Sequence, residues 1–233
     1  MITAVLTIDD VPSCNTPDIV DYLNSKGITA VMFAVGKNIE KHYDNAIYAL
    51  QHGMIIGNHT YSHPHMSALS FEEAIEQIEK NELILDKLYK DAGVTRKYRP
   101  FRFPYGDKGG ENKKAFQRYF RENGFNKLVD TQIQFKWWRE GELSTDIDTF
   151  WTFDVAEYNI RRGSGFTEED VYKRIDEEDT QYRGALLGEG NSHIILLHAH
   201  DETEEMVPEY YKKFIGHMLD KGLVFTEPKF FGI

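Results

Sequence analysis

Apolar residues recur along this chain in two rhythms. Short runs rich in β-branched and aromatic residues fall at 3–8, 28–35, 54–56, 98–103, 127–129, 149–153, 194–197 and 223–225. Each predicts a buried strand. Between them the spacing turns helical. Thr16-Pro17-Asp18 offers an N-cap, an N1 proline and a first-turn acid, and Gly27 closes that helix. A shorter helix is expected over 45–51, stopped near Gly53. Ser70 and Glu73 form a capping box ahead of Ile75, Ile78, Leu85 and Leu88. Further helices are expected near 112–123, 168–183 and 206–220. Strands that alternate with helices call for a parallel sheet covered on both faces. Eight such runs, with no repeat, low-complexity tract or linker, predict one α/β domain over residues 1–233, a (β/α)7-8 barrel rather than an open sheet.

Composition narrows the partners. Of 233 residues, 41% are hydrophobic and 28% charged, an ordinary globular balance. With 27 basic against 38 acidic residues the net charge is −11, so phosphate backbones and anionic membrane surfaces repel the chain, and neither nucleic acid nor a membrane is expected as a partner. Cys14 stands alone, which rules out an intrachain disulfide and a cysteine-based zinc finger. Apolar stretches are too short to span a bilayer, and strand-like sequence begins where a leader would lie, so a cytoplasmic location is expected.

The reactive residues then gather at strand ends. Asp9 and Asp10 follow the first strand and His59 and His63 the third, Arg102 lies at the end of the fourth, Asp154 follows the sixth and His198 the seventh. Parallel strands share a C-terminal rim, where barrels build their sites. Each residue also has a plainer reading. An aspartate pair is often a turn or cap, paired histidines can decorate a polar loop, His198 can be a satisfied core histidine, and Arg102 pairs with any carboxylate. His65 is expected to face solvent, His200 to stand on the rim without a role, and His42, His52 and His217 to be structural. The glycines of 106–110 lack phosphate-loop spacing and predict a turn.

In order and spacing these segments resemble the polysaccharide deacetylases of carbohydrate esterase family 4, the NodB-homology domain. Thr7-Ile8-Asp9-Asp10-Val11-Pro12, His59-Thr60-Tyr61-Ser62-His63, Arg102-Phe103-Pro104-Tyr105-Gly106 and Leu196-Leu197-His198 match four family motifs in sequence order. The resemblance implies a distorted (β/α) barrel and metal-dependent hydrolysis of N-acetyl, sometimes O-acetyl, groups on sugars. It implies that Asp10, His59 and His63 hold a divalent metal, zinc first, with cobalt or nickel as alternatives. Asp9 takes the role of base beside Arg102. The backbone N–H of Tyr105 helps hold the oxyanion, His198 acts as acid, and Asp154 orients that imidazole. The implied partner is an N-acetylated sugar or oligosaccharide.

Some positions depart from the family pattern. Val11 stands where glycine is usual, Glu157-Tyr158 where aspartate and tryptophan are usual, and Ala199 where aspartate is common. Two other functions compete: a catalytically silent sugar-binding protein of the same fold, and a hydrolase of small cyclic amides. The first would have lost a base or ligand, and none is missing. The second would not keep the whole Asp-His-His set.

Overall fold

The computed structural model describes residues 1–179, 184–188 and 192–232. The first half runs β1 (Ile2–Val11), α1 (Thr16–Ser25), β2 (Ala30–Ala34), α2 (Gly36–Lys41), α3 (Tyr43–Gln51), β3 (Ile55–Asn58), α4 (Phe71–Ala92) and α5 (Lys113–Glu122). The second runs α6 (Lys136–Glu140), β4 (Phe153–Asp154), α7 (Glu168–Ile175), β5 (Ser192–His198), α8 (Asp201–Met206), α9 (Tyr210–Asp220) and β6 (Leu223–Phe225). All named strands pair in parallel, in the order β3-β2-β1-β5-β4, with β6 against the first residues of β1. This is the α/β architecture that the alternating pattern predicts.

Strand β1 is central and buried along most of its length, which explains its nearly unbroken apolar run. Successive side chains of a strand point to opposite faces, and here each face has its own core. Leu6 and Ile8 of β1, Met32 of β2 and Ile195 of β5 pack beneath Leu23, Leu85 and Phe214 of the surrounding helices. Val5, Val31, Phe33 and Ile194 face the other way, against Leu128, Ile133 and Trp138. The capping box of α4 forms as expected, with Ser70 Oγ accepting from the Glu73 N–H and Glu73 reaching back to the Ser70 N–H. Helix α1 starts differently. Thr16 is already helical, and its Oγ1 accepts the Ser13 N–H instead of capping the helix.

The strand count also differs. Six ladder strands form among the described residues, and the runs at 98–103 and 127–129 are reduced to single bridges, Asn58 with Phe101 and Leu128 with Phe230. Pro100 and Pro104 explain the first, since a residue without an N–H cannot extend a ladder. The two edge strands are joined through irregular chain. Arg102 donates its N–H to Asn58 O, and Asn58 its N–H to Pro100 O. Thr149 in turn donates to Phe101 O, and Thr152 to Ile194 O. Of the helix expected over 168–183, α7 accounts for the start, and 180–183 lie outside the described residues. No helix among the described residues is long and apolar enough to cross a membrane.

Candidate functional site

The predicted residues meet at the C-terminal ends of the strands. Asp9, Asp10, His59, His63, Tyr105, Asp154 and His198 all line one cavity of about 660 Å³, together with Trp151, Tyr158, Arg161 and His200. Arg102 lies just behind it, fully buried.

Neighbouring aspartates should point to opposite faces of a strand, so their common direction needs a cause. Ile8 pairs with Met32 and Val11 with Ala34, so β1 advances one residue more than β2 in between. This is a bulge at the two aspartates, and bulges re-aim side chains. Asp10 takes φ 63°, and both carboxylates enter the cavity. Val11 then returns to the core, 1% exposed.

The two histidines sit on the turn after β3. Asn58 shapes it, accepting the Thr60 N–H on Oδ1 at 2.7 Å while its amide donates to Ile78 O and Glu82 Oε1. Thr60 and His63 adopt φ of 66° and 57°. His59 is buried, and its Nδ1 donates to Arg102 O at 2.8 Å, which leaves Nε2 as the nitrogen facing the aspartates. Burial and the neighbouring His59 push His63 down to about 4, against the pull of Asp10 and Asp9, so its imidazole is neutral at pH 7. Asp10 is pushed up by burial, yet the His200 hydrogen bond and the charges of His59, His63 and His198 hold it well below the usual carboxylate range.

One oxygen of Asp10 and one nitrogen from each of these histidines lie within 4.8 Å of one another. Asp10 Oδ1 is 3.3 Å from His63 Nε2 and 3.8 Å from His59 Nε2. Bonds of roughly 2.0–2.1 Å at tetrahedral angles would set donor atoms about 3.4 Å apart. A carboxylate and two imidazoles at this separation fit a divalent cation.

Arg102 binds the other aspartate. Its guanidinium donates to Asp9 Oδ1 at 2.7 Å and Thr7 Oγ1 at 2.8 Å, while Nε donates to Thr149 O at 3.0 Å. Asp9 Oδ2 turns toward the histidines, 3.5 Å from His59 Nε2. Tyr105 stands at the mouth with φ 58°, its ring stacked on His65 at 4.0 Å and close to His63 at 4.4 Å.

On the strand beside β1, His198 ends β5 in register with Asp9. Asp154, expected from the sequence to orient its imidazole, is not its hydrogen-bonded partner. Glu157 is: one oxygen, Oε1, lies 2.5 Å from the His198 backbone N and 3.1 Å from Nδ1. After β4 the chain passes through Ala156 at φ 63° into a tight turn over Glu157–Asn159, which swings the fully buried Glu157 inward. Asp154 instead accepts the Ala156 N–H at 2.8 Å. Burial raises its carboxyl to about 6, opposed by His198 and reinforced by Glu157. Burial alone would lower His198, but the charge and hydrogen bond of Glu157, with Asp10 and Asp9 beyond, carry it up to about 9. His200, expected as a bystander, has its Nε2 2.7 Å from Asp10 Oδ2. A His-x-His pair at a strand end was the available signal for it, because alternate residues share a face.

The family model for polysaccharide deacetylase matches residues 2–126. A peptidoglycan-N-acetylglucosamine deacetylase of Bacillus cereus is 40% identical over 103 residues, 44% of this chain and 36% of its own. A chitin deacetylase of Amylomyces rouxii is 34% identical over 217 residues, 91% of this chain and 42% of its own. The chain thus spans well under half the length of these two relatives. Among solved structures, the chitin deacetylase of Colletotrichum lindemuthianum superposes with a TM-score of 0.62 at 22% identity, over 96% of this chain and 84% of that one. That likeness bears on the fold.

Proposed function

The chain belongs to the polysaccharide deacetylase family, and on that premise we propose that it is a metal-dependent deacetylase of an N-acetylated sugar or oligosaccharide. One observation carries the reading. A carboxylate held by Arg102 and an imidazole held by Glu157 reach the same cavity as the cation trio of Asp10, His59 and His63. Amide hydrolysis needs that division: a base for the attacking water and an acid for the departing nitrogen.

Asp10, His59 and His63 hold the cation, zinc first by the donor set, with cobalt or nickel as alternatives. Such an ion supplies Lewis acidity that polarises the acetyl carbonyl and eases deprotonation of water. Arg102 occupies Asp9 Oδ1, so Oδ2 takes the proton. Glu157 occupies His198 Nδ1, so Nε2 carries the proton given to the leaving amine. An imidazole whose pKa is about 9 is charged at neutral pH, the state a general acid requires. The N–H of Tyr105 is assigned to the oxyanion. Trp151, Tyr158 and Tyr105 offer rings to a sugar along the cavity.

The test is acetate release from N-acetylated glucosamine oligomers and peptidoglycan fragments, with zinc, cobalt or nickel added to metal-free protein. Release that requires one of these ions is expected, with about one ion per chain. No release from any N-acetylated substrate with any of them would overturn the proposal.

A further inference from the structure

Asp10 offers two oxygens to its surroundings, and they are used differently. Oδ1 is the atom near the imidazoles of His59 and His63. Oδ2 is 2.7 Å from Nε2 of His200, a residue outside the four matching motifs. A carboxylate only accepts, so His200 donates. Left free, the carboxylate would turn about its terminal bond through intermediate angles at which neither oxygen keeps its place beside the imidazoles. The backbone beneath it is pinned, since Asn38 donates its side-chain amide to Asp10 O at 2.7 Å. Among the described residues, His200 is the hydrogen-bond partner of the carboxylate itself.

The fold explains why His200 reaches this place. Asp9 pairs with His198 across β1 and β5, and Ala199 continues the contact by donating its N–H to Asp9 O. Ala199 points into the core, 3% exposed, while His198 and His200 both line the cavity. His200 is further set by the start of α8, where its carbonyl accepts the Glu204 N–H.

We propose that His200 is a positioning residue for the cation site: its Nε2–H fixes the Asp10 carboxylate so that Oδ1 faces the ion. The inference rests on the reading of Asp10, His59 and His63 as the cation-binding trio. Partners of ligating groups commonly contribute roughly 10–100-fold to metal affinity without touching the metal.

The experiment measures binding of zinc alone to metal-free protein by competition with a chromophoric chelator. Wild type, His200→Ala, His200→Gln and His63→Ala are compared, and the visible spectrum of each cobalt-loaded protein is recorded. His200→Ala should bind one zinc per chain roughly 10–100-fold more weakly, with the cobalt bands unmoved. His200→Gln, whose amide can donate to Oδ2, should recover most of the loss. His63→Ala should lose far more affinity and change the cobalt spectrum. If His200→Ala binds as tightly as wild type while His63→Ala does not, the positioning role is overturned and the trio stands. If the cobalt bands shift in His200→Ala, His200 is itself a ligand and the proposal is equally overturned. If His63→Ala binds like wild type, the trio has been misread and the proposal falls with it.

Discussion

Replacing Glu157 by glutamine preserves the side chain's size and removes its charge, so it isolates what the carboxylate does for His198. Unit charges 3.1 Å apart attract by about 5 kcal/mol at an effective dielectric constant of 20. Burial opposes this, and the balance leaves the imidazole at about 9 instead of 6.5. That gap favours the charged ring by on the order of 3 kcal/mol. Without the Glu157 charge, burial is opposed by the remaining carboxylates, Asp10 and Asp9 foremost, and the pKa should fall to about 6.5 or below. At pH 8 the protonated fraction would then drop from about nine-tenths to about 3%, and kcat/KM roughly thirtyfold with it. Two assays read this: an NMR titration of the His198 ring in metal-free protein, and the alkaline limb of kcat/KM between pH 6 and 10. The same pair affects stability, with a definite sign. A folded pKa above the unfolded one contributes fully below pH 6.5 and is lost as pH rises through about 9. Wild type should therefore lose stability over that window, and Glu157→Gln should not. An unmoved titration in Glu157→Gln would refute the reasoning, as would a larger displacement in Asp154→Asn.

Three further outcomes are expected. Asp9→Asn should retain zinc binding by titration calorimetry and lose kcat by roughly a hundredfold or more, and near-normal turnover would assign the base elsewhere. His193 is buried away from the cavity, and burial lowers it to about 4 despite a hydrogen bond with the Leu186 backbone. Because the unfolded chain protonates first, stability should fall as pH drops from 6.5 toward 4, by on the order of 3 kcal/mol. Urea titrations of His193→Gln should show that much less acid sensitivity. At Gly57 an added Cβ would lie 2.7 Å from Pro100 O and 2.8 Å from its Cγ. Gly57→Ala should therefore cost roughly 1–3 kcal/mol, and an unshifted urea midpoint would count against the tight seam between β3 and the Pro100 segment.

What could be read from the sequence depended on how local its cause was. The capping box of α4 and the helical stop at Gly27 need only neighbouring residues, and they stand where the pattern puts them. The gathering of Asp9, Asp10, His59, His63, Arg102 and His198 followed from one global rule, that parallel strands share an end. Glu157 escaped because its direction depends on a left-handed Ala156, a residue with no sequence preference for that conformation. His200 escaped because its partner lies 190 positions away, across two strands whose register is fixed only on folding. The aspartate bulge is equally hidden, since nothing in Asp9-Asp10 announces that one residue has no counterpart on β2.

The central place of β1 has a consequence for how the protein is made. Its partners β5 and β6 come last, and roughly 180 residues of chain separate Val11 from Ser192. A ribosome adding about 5–20 residues per second needs on the order of ten to forty seconds to supply them. Once β2 has emerged it can pair with one edge of β1, while the backbone N–H and C=O groups along the other edge still lack their native partners. The nascent chain is therefore most open to misassembly, and most in need of a chaperone, long after its first strand has emerged.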